Sequence, residues 1–228
     1  MLKKVKLFFV TMCLFLPLSS FAVTAKYNAY GIGLPLASGE MTLTEGPENL
    51  FETILETKGV LSLLVDARTV FTTKLNRNKI TLSSMRSVSG KKIKTRTVSF
   101  EHQPEKVDYQ TAVYQIMNQT PPKTTTKYID DGKRVLKATF IYQGKKDLTL
   151  STGIFSGTAD YYTLQIDVIS GKKSGWFFNR VKEGTDSALH LYFAPIKGKK
   201  IFVFGQFETL LFGPINIYLM DFKDEKLS

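Results

Sequence analysis

The sequence predicts a mostly β protein: a curved antiparallel sheet, as a half-barrel or barrel-like sandwich, with one covering helix. Three observations predict it. Apolar runs of strand length recur along the chain, divided by Gly, Asn, Asp and Lys clusters that signal turns. Only the stretch from Asp108 to Gln119 carries a helical apolar period. The last quarter, Ala188 to Phe222, is apolar at both parities over residues 201–204 and over most of 215–220. A half-exposed strand alternates and a strand covered on both faces does not. A second layer, a helix or a bound apolar molecule must therefore cover both sides of this closing meander.

The chain opens with a basic Met1-Leu2-Lys3-Lys4-Val5-Lys6, an apolar run from Leu7 to Leu18, and Ser19-Ser20-Phe21-Ala22. This is the three-part pattern of a secretory signal, predicted over residues 1–22, with cleavage after Ala22 or after Ala25. The run falls short of the roughly 20 apolar residues of a spanning helix. Residues 23–228 are read as one β-rich domain, and the predicted location is the periplasm. Cys13 is the only cysteine and leaves with the leader, so the mature chain has no disulfide and no thiol chemistry. Losing Lys3, Lys4 and Lys6 lowers the formal net charge from +11 to +8. Such an excess suits an anionic membrane surface, or serves only to keep a β-rich chain soluble. Export argues against nucleic acid.

The elements follow in order. Lys26–Tyr30 begins a first strand, and Gly31-Ile32-Gly33-Leu34-Pro35 breaks it. Ala37 to Glu45 is a second, Gly46-Pro47-Glu48-Asn49 a turn, and Leu50 to Thr57 a third. Gly59 to Val65 lacks alternation and reads as a single helical turn or plug. Arg68 to Asn76 is again a strand. Ile80–Val88 and Lys92–His102 form a hairpin for which a three-residue loop, Ser89-Gly90-Lys91, sets Leu82 opposite Val98 and Arg86 opposite Lys94. Asp108 caps the helix, whose single face holds Tyr109, Ala112, Val113, Ile116 and Met117, and Pro121-Pro122 stops it. Strands resume at Lys127–Ile129 and Arg134–Gln143 around an Asp130-Asp131-Gly132-Lys133 turn. Gly144-Lys145-Lys146-Asp147 reads as another turn, and Tyr162 to Val168 as a half-buried strand. Trp176-Phe177-Phe178 follows a Gly/Lys break.

Several segments, in this order, are similar to a family of exported bacterial proteins catalogued as domain of unknown function 3108. They include Tyr30-Gly31-Ile32-Gly33-Leu34-Pro35, Thr57-Lys58-Gly59-Val60-Leu61, Asp108-Tyr109-Gln110-Thr111-Ala112-Val113-Tyr114 and Gly153-Ile154-Phe155-Ser156-Gly157. The closing stretches Leu191-Tyr192-Phe193-Ala194-Pro195-Ile196, Ile201 to Phe207 and Leu211-Phe212-Gly213-Pro214-Ile215 complete the set. The resemblance implies a periplasmic β-rich fold and hands over no catalytic residues.

Chemistry-bearing patterns are scarce. The chain has two histidines, His102 and His190, without paired metal-ligand spacing, so neither a metal site nor a cofactor is expected. No G-x-S-x-G or Walker pattern occurs. Asp130-Asp131 reads as turn chemistry and Asp66-Ala67-Arg68 as a local ion pair. The chain is not expected to be an enzyme. Its surplus is apolar and aromatic, with 17 Phe and 10 Tyr. The expectation is binding of a lipid or other amphiphile inside the sheet, lined by Phe193, Phe202, Phe204, Phe212, Tyr218 and Met220. The helix adds Tyr109, Ile116 and Met117, and Lys92, Lys94 and Arg96 meet an anionic headgroup. The alternative is an envelope interaction or assembly protein with a solid core.

Overall fold

The computed structural model describes residues 20–46, 48–76, 79–171, 189–209 and 213–227. Its strands are β1 (Ser20–Gly31), β2 (Leu34–Glu45), β3 (Asn49–Thr57), β4 (Ala67–Asn76), β5 (Lys79–Ser89), β6 (Lys92–Ser99) and β7 (Lys106–Val107). They continue with β8 (Thr125–Asp130), β9 (Arg134–Thr149), β10 (Ser156–Gly171), β11 (Leu189–Ile196), β12 (Lys199–Thr209) and β13 (Gly213–Leu227). The helices are α1 (Gly59–Leu64) and α2 (Tyr109–Met117).

All 13 strands form one sheet in the order β6-β5-β4-β3-β2-β1-β13-β12-β11-β10-β9-β8-β7. Every pairing is antiparallel except β7 with β8. The sheet curls around α2. Ala112 and Ile116 of that helix are fully buried in a cluster that takes Phe51 and Leu75 from one half of the sheet and Leu136, Phe140 and Tyr162 from the other. The helix thus covers the concave face from within. Asp108 caps it by accepting from the Thr111 amide at 2.7 Å, and takes a short hydrogen bond from the Thr73 hydroxyl. Gln110 Nε2 donates to Thr73 Oγ1 at 2.8 Å and to the Phe51 carbonyl at 3.3 Å, tying the helix start to β3 and β4.

The edge strands β6 and β7 share no ladder, so the curl is open along a seam. Side chains bridge it. Arg96 Nη1 donates to the Asp131 carbonyl at 3.2 Å, and Gly132 lies so close to Val98 that a Cβ there would stand 3.1 Å from Val98 Cγ2. Asp131 organises the turn. It accepts from the Lys133 and Arg134 amides at 2.9 Å and pairs with the Arg134 guanidinium at 2.7 Å, while Asp130 accepts from the Gly132 amide.

Two local expectations are corrected. The β5–β6 hairpin turns in two residues, Gly90 and Lys91, with Ser89 opposite Lys92. Gly90 at φ 55 supplies the first position of a tight hairpin turn, and a loop one residue shorter slips the register by one. Leu82 therefore faces Ser99, Ser83 faces Val98, and Arg86 faces Thr95 rather than Lys94. Gly144–Asp147 is not a turn: β9 runs through it, with a register shift opposite Tyr161/Tyr162 and Gly144 at φ 105. The chain reverses instead at Leu150 to Phe155, where the Leu150 amide donates to the Phe155 carbonyl at 2.9 Å.

That long β9–β10 tip answers the question of two-sided burial. On the concave side, Phe193 and Phe202 join the α2 core. On the other, Leu148, Ile154 and Phe155 of the tip pack on the cluster that includes Tyr192 and Ala194.

Candidate functional site

Cross-strand partners share a face of a sheet, and the register sorts the aromatic residues accordingly. Tyr27 faces Leu219 on one side and Gly39 on the other, and Gly39 faces Leu55. Met41 faces Ala25 and Thr53, and Leu43 faces Val23 and Phe51. Phe51 contacts Tyr114 of α2, with ring centroids 6.0 Å apart, so this is the concave face. The opposite parity builds an outer row: Tyr161 faces Tyr192, Tyr192 faces Phe204, and Phe204 faces Tyr218. Their successive centroids are 4.8, 5.4 and 5.1 Å apart. His190 joins this row, its Nδ1 2.7 Å from the Tyr161 hydroxyl, as a hydrogen-bonded strand residue.

The concave face is not filled. One cavity of about 350 Å³ lies between β1, β2, β3 and α2. Its walls are Val23, Ala25, Tyr27, Met41, Leu43, Phe51 and Met117, and Glu45, Lys199 and Lys200 stand at its rim. Lys199 pairs with Asp224 at 3.1 Å and Lys200 with Asp160 at 2.6 Å. This pocket is apolar inside and charged at the mouth. A second cavity, about 360 Å³ and almost wholly apolar, lies further along the same face, walled by Ala29, Ala37, Gly39, Leu55, Phe202 and Ile217 with Leu61 of α1 over it. Tyr27 and Met41 border both cavities. The space exists because small residues of β1 and β2, Ala29, Ala37 and Gly39, stand where a filled interior needs large ones.

Tyr27 is the partition. It is 6 % exposed, its hydroxyl donates to the Phe202 carbonyl at 3.0 Å, and burial pushes its phenol far above the ordinary tyrosine range. The helix α1 closes one end. A Cβ at Gly59, which has φ +54, would stand 2.5 Å from the Pro35 carbonyl oxygen, so the strap lies directly on β2.

Of the residues expected to line a pocket, Phe202 and Met117 do so. Tyr109 lines a different cleft of about 230 Å³ at the seam, with Arg96, Asp108, Asp131 and Arg134. Burial foremost, with Asp131 second, pushes its phenol up to about 12. Phe193 and Ile116 are fully buried core and border neither cavity. Phe204 and Tyr218 pair on the outer face, and the bulge between Tyr192 and Phe193 turns Phe202 to the opposite one. Met220 is the residue passed over where β1 shifts register between Lys26 and Tyr27, and it borders neither cavity. Phe212 and the Trp176–Phe178 run lie outside the described residues.

Lys92 and Lys94 are exposed on the edge strand β6 and border neither cavity, and Arg96 serves the seam. The charged rim comes from Lys199 and Lys200 instead. Arg68 pairs with Glu56 at 3.1 Å, correcting the expected pairing with Asp66. Among the described residues no group of three His, Cys, Asp or Glu could hold a metal ion, and no helix is long and apolar enough to cross a membrane.

Sequence reasoning missed Tyr27, Met41 and Leu55. Their signal was faint: alternation in β1–β3, with small residues recurring at the inward parity.

No family model and no curated protein matches the sequence, so the resemblance to domain of unknown function 3108 gains no support from either. Solved structures similar to it include the following two. One is a "Beta-barrel-like Protein of Domain of Unknown Function DUF1849 from Brucella abortus", 9 % identical, covering 92 % of this chain and 98 % of that one at a TM-score of 0.45. The other is a DUF1329 family protein from Desulfovibrio piger ATCC 29098, 12 % identical, covering 94 % and 89 % at a TM-score of 0.32.

Proposed function

We propose that the protein binds a lipid or related amphiphile within the curl of its sheet, in the periplasm, and catalyses no reaction on it. The observation that carries this reading is the pair of adjoining cavities of about 350 and 360 Å³ on the concave face. Each reaches the lower end of the volume range of ligand sites, roughly 300–1,000 Å³. The first has the polarity of an amphiphile, with apolar walls and a rim of Glu45, Lys199 and Lys200. Export rests on the leader-like pattern of residues 1–22. Native mass spectrometry of protein released gently from cells tests the reading. A non-covalent adduct that dissociates on activation and extracts into organic solvent is expected, and a clean apo mass from several preparations would overturn it.

A second reading is docking of an envelope protein onto the outer face, where the half-buried Tyr161, Phe204 and Tyr218 continue from the buried Tyr192. Crosslinking in intact cells separates the two: one defined protein partner and no lipid adduct supports the second.

A further inference from the structure

Antiparallel neighbours alternate in direction, so the β1–β2 turn, the strap α1 between β3 and β4, and the β5–β6 turn all leave the sheet at one end. That end carries uncovered apolar side chains. Ile32 is 70 % exposed, Leu63 85 % and Ile93 60 %, and Leu34 and Val65 are exposed beside the first two. Gly59 of α1 lies against Pro35, so the strap and the β1–β2 turn are neighbours. Ile32 also stands at φ 52, before Gly33 at φ 74, in a two-residue turn that Asn-Gly suits and a β-branched side chain strains. An isoleucine kept there, strained and uncovered, has a use outside the fold.

The same end is basic. The β5–β6 hairpin has no acidic residue from Lys79 to Phe100. Its Arg86, Lys91, Lys92 and Lys94 are exposed, and none pairs with an acid among the described residues. At the opposite end Lys199 and Lys200 are each held by an aspartate. Lysines along a free strand deter sheet pairing, a role that gives no reason for the apolar residues on the neighbouring turns. Lysine is depleted from protein–protein interfaces. Single apolar side chains on separate turns, flanked by unpaired cations, match the boundary between headgroups and acyl chains of an anionic bilayer.

We infer that this end of the curl docks on an anionic bilayer surface, Ile32, Leu34, Leu63 and Val65 entering the acyl boundary and the hairpin cations meeting lipid phosphates. The second cavity lies behind it: Leu61 of α1 walls that cavity with Ala37 and Thr57, while Leu63 of the same strap faces out. Docking extends the proposed binding of an amphiphile by naming the surface where it is exchanged, and the observations behind it do not depend on what the cavities hold.

The test floats the mature protein, residues 23–228, with vesicles of phosphatidylcholine alone or with an equal part of phosphatidylglycerol. Binding to the anionic vesicles only is expected, weakening as salt is raised. Leu63→Ser and Ile32→Asn should each lower the partition coefficient about tenfold, and Lys92→Gln with Lys94→Gln about tenfold as well. Asparagine suits the turn, so the urea midpoint of Ile32→Asn should hold or rise, which separates lost docking from lost folding. No flotation of wild type, or flotation unchanged in every variant, overturns the inference. So does a dimer in sedimentation that dissociates on Leu63→Ser, since a second copy would then cover this end. A photo-crosslinking residue at position 63 that captures one defined protein in cells and no lipid does the same. If flotation fails while native mass spectra carry a lipid adduct, only the docking falls. If flotation behaves as expected and no adduct exists, only the amphiphile reading falls.

Discussion

The Tyr27 ring lies 5.5 Å from the Phe202 ring and its hydroxyl donates to the Phe202 carbonyl, although β13 separates their strands in the sheet. The contact reaches across one strand on the concave face and fixes the wall between the two cavities. Tyr27→Phe removes only the hydrogen bond and should cost about 1 kcal/mol in urea unfolding. Tyr27→Ala should cost about 3–5 kcal/mol and join the cavities, which ligand titration would read as tighter binding of longer chains.

The same burial gives an alkaline limit. Tyr27 and Tyr109 are held above the ordinary tyrosine value of 10.0, in each case chiefly by burial. Their protonated forms are favoured by the folded state, so their contribution is complete below pH 10 and is lost as pH rises above it. Unfolding midpoints measured from pH 8 to 11.5 should fall above pH 10, and Tyr109→Phe should soften that fall.

An acidic limit comes from the seam. Burial pushes the Asp131 carboxyl up, but the Arg134 side chain, the Lys133 and Arg134 amides and the Arg134 charge together hold it below its ordinary value of 3.8. A depressed carboxylate contributes stability above its unfolded pKa and loses it as pH falls through the folded one. Asp131→Asn should flatten the loss of stability below pH 4 in acid titrations followed by circular dichroism.

Asp108 joins the helix cap to the Thr73–Gln110 network inside the curl. Asp108→Ala removes the cap and orphans a buried hydroxyl, which together should cost about 2–4 kcal/mol in chemical denaturation. Asp108→Asn keeps an acceptor for the Thr111 amide and should cost less.

Filling the second cavity separates binding from folding. Ala37→Leu places a larger apolar side chain into space bordered by Ala29 and Leu55. It should abolish the adduct in native mass spectra while changing stability by less than about 1.5 kcal/mol.

Much of this architecture is legible in the residues. Strand positions in β1–β5 follow from alternation, and the helix follows from Asp108 and the period of Ala112 and Ile116. The candidate site is far less legible. Whether Phe202 or Phe204 points inward depends on a bulge at Tyr192/Phe193, and one inserted residue reverses every later side chain without altering composition. The open space depends on β1 and β2, where Ala29, Ala37 and Gly39 are small and give no strong signal, while Phe202 of β12 and Ile217 of β13 complete the wall.

Strands β1 and β13 pair from Ser20/Leu227 to Gly31/Ile215, and this ladder is the middle of the sheet. In most sheets, trimming a terminal strand peels an edge and leaves the remainder intact. Here, breaking the β1–β13 ladder would part β1–β6 from β7–β13 within the sheet, leaving the α2 core and the seam contacts to hold them, and would lay both cavities open. Neither half can shelter a ligand alone. The container therefore depends on two strands far apart in the sequence finding each other.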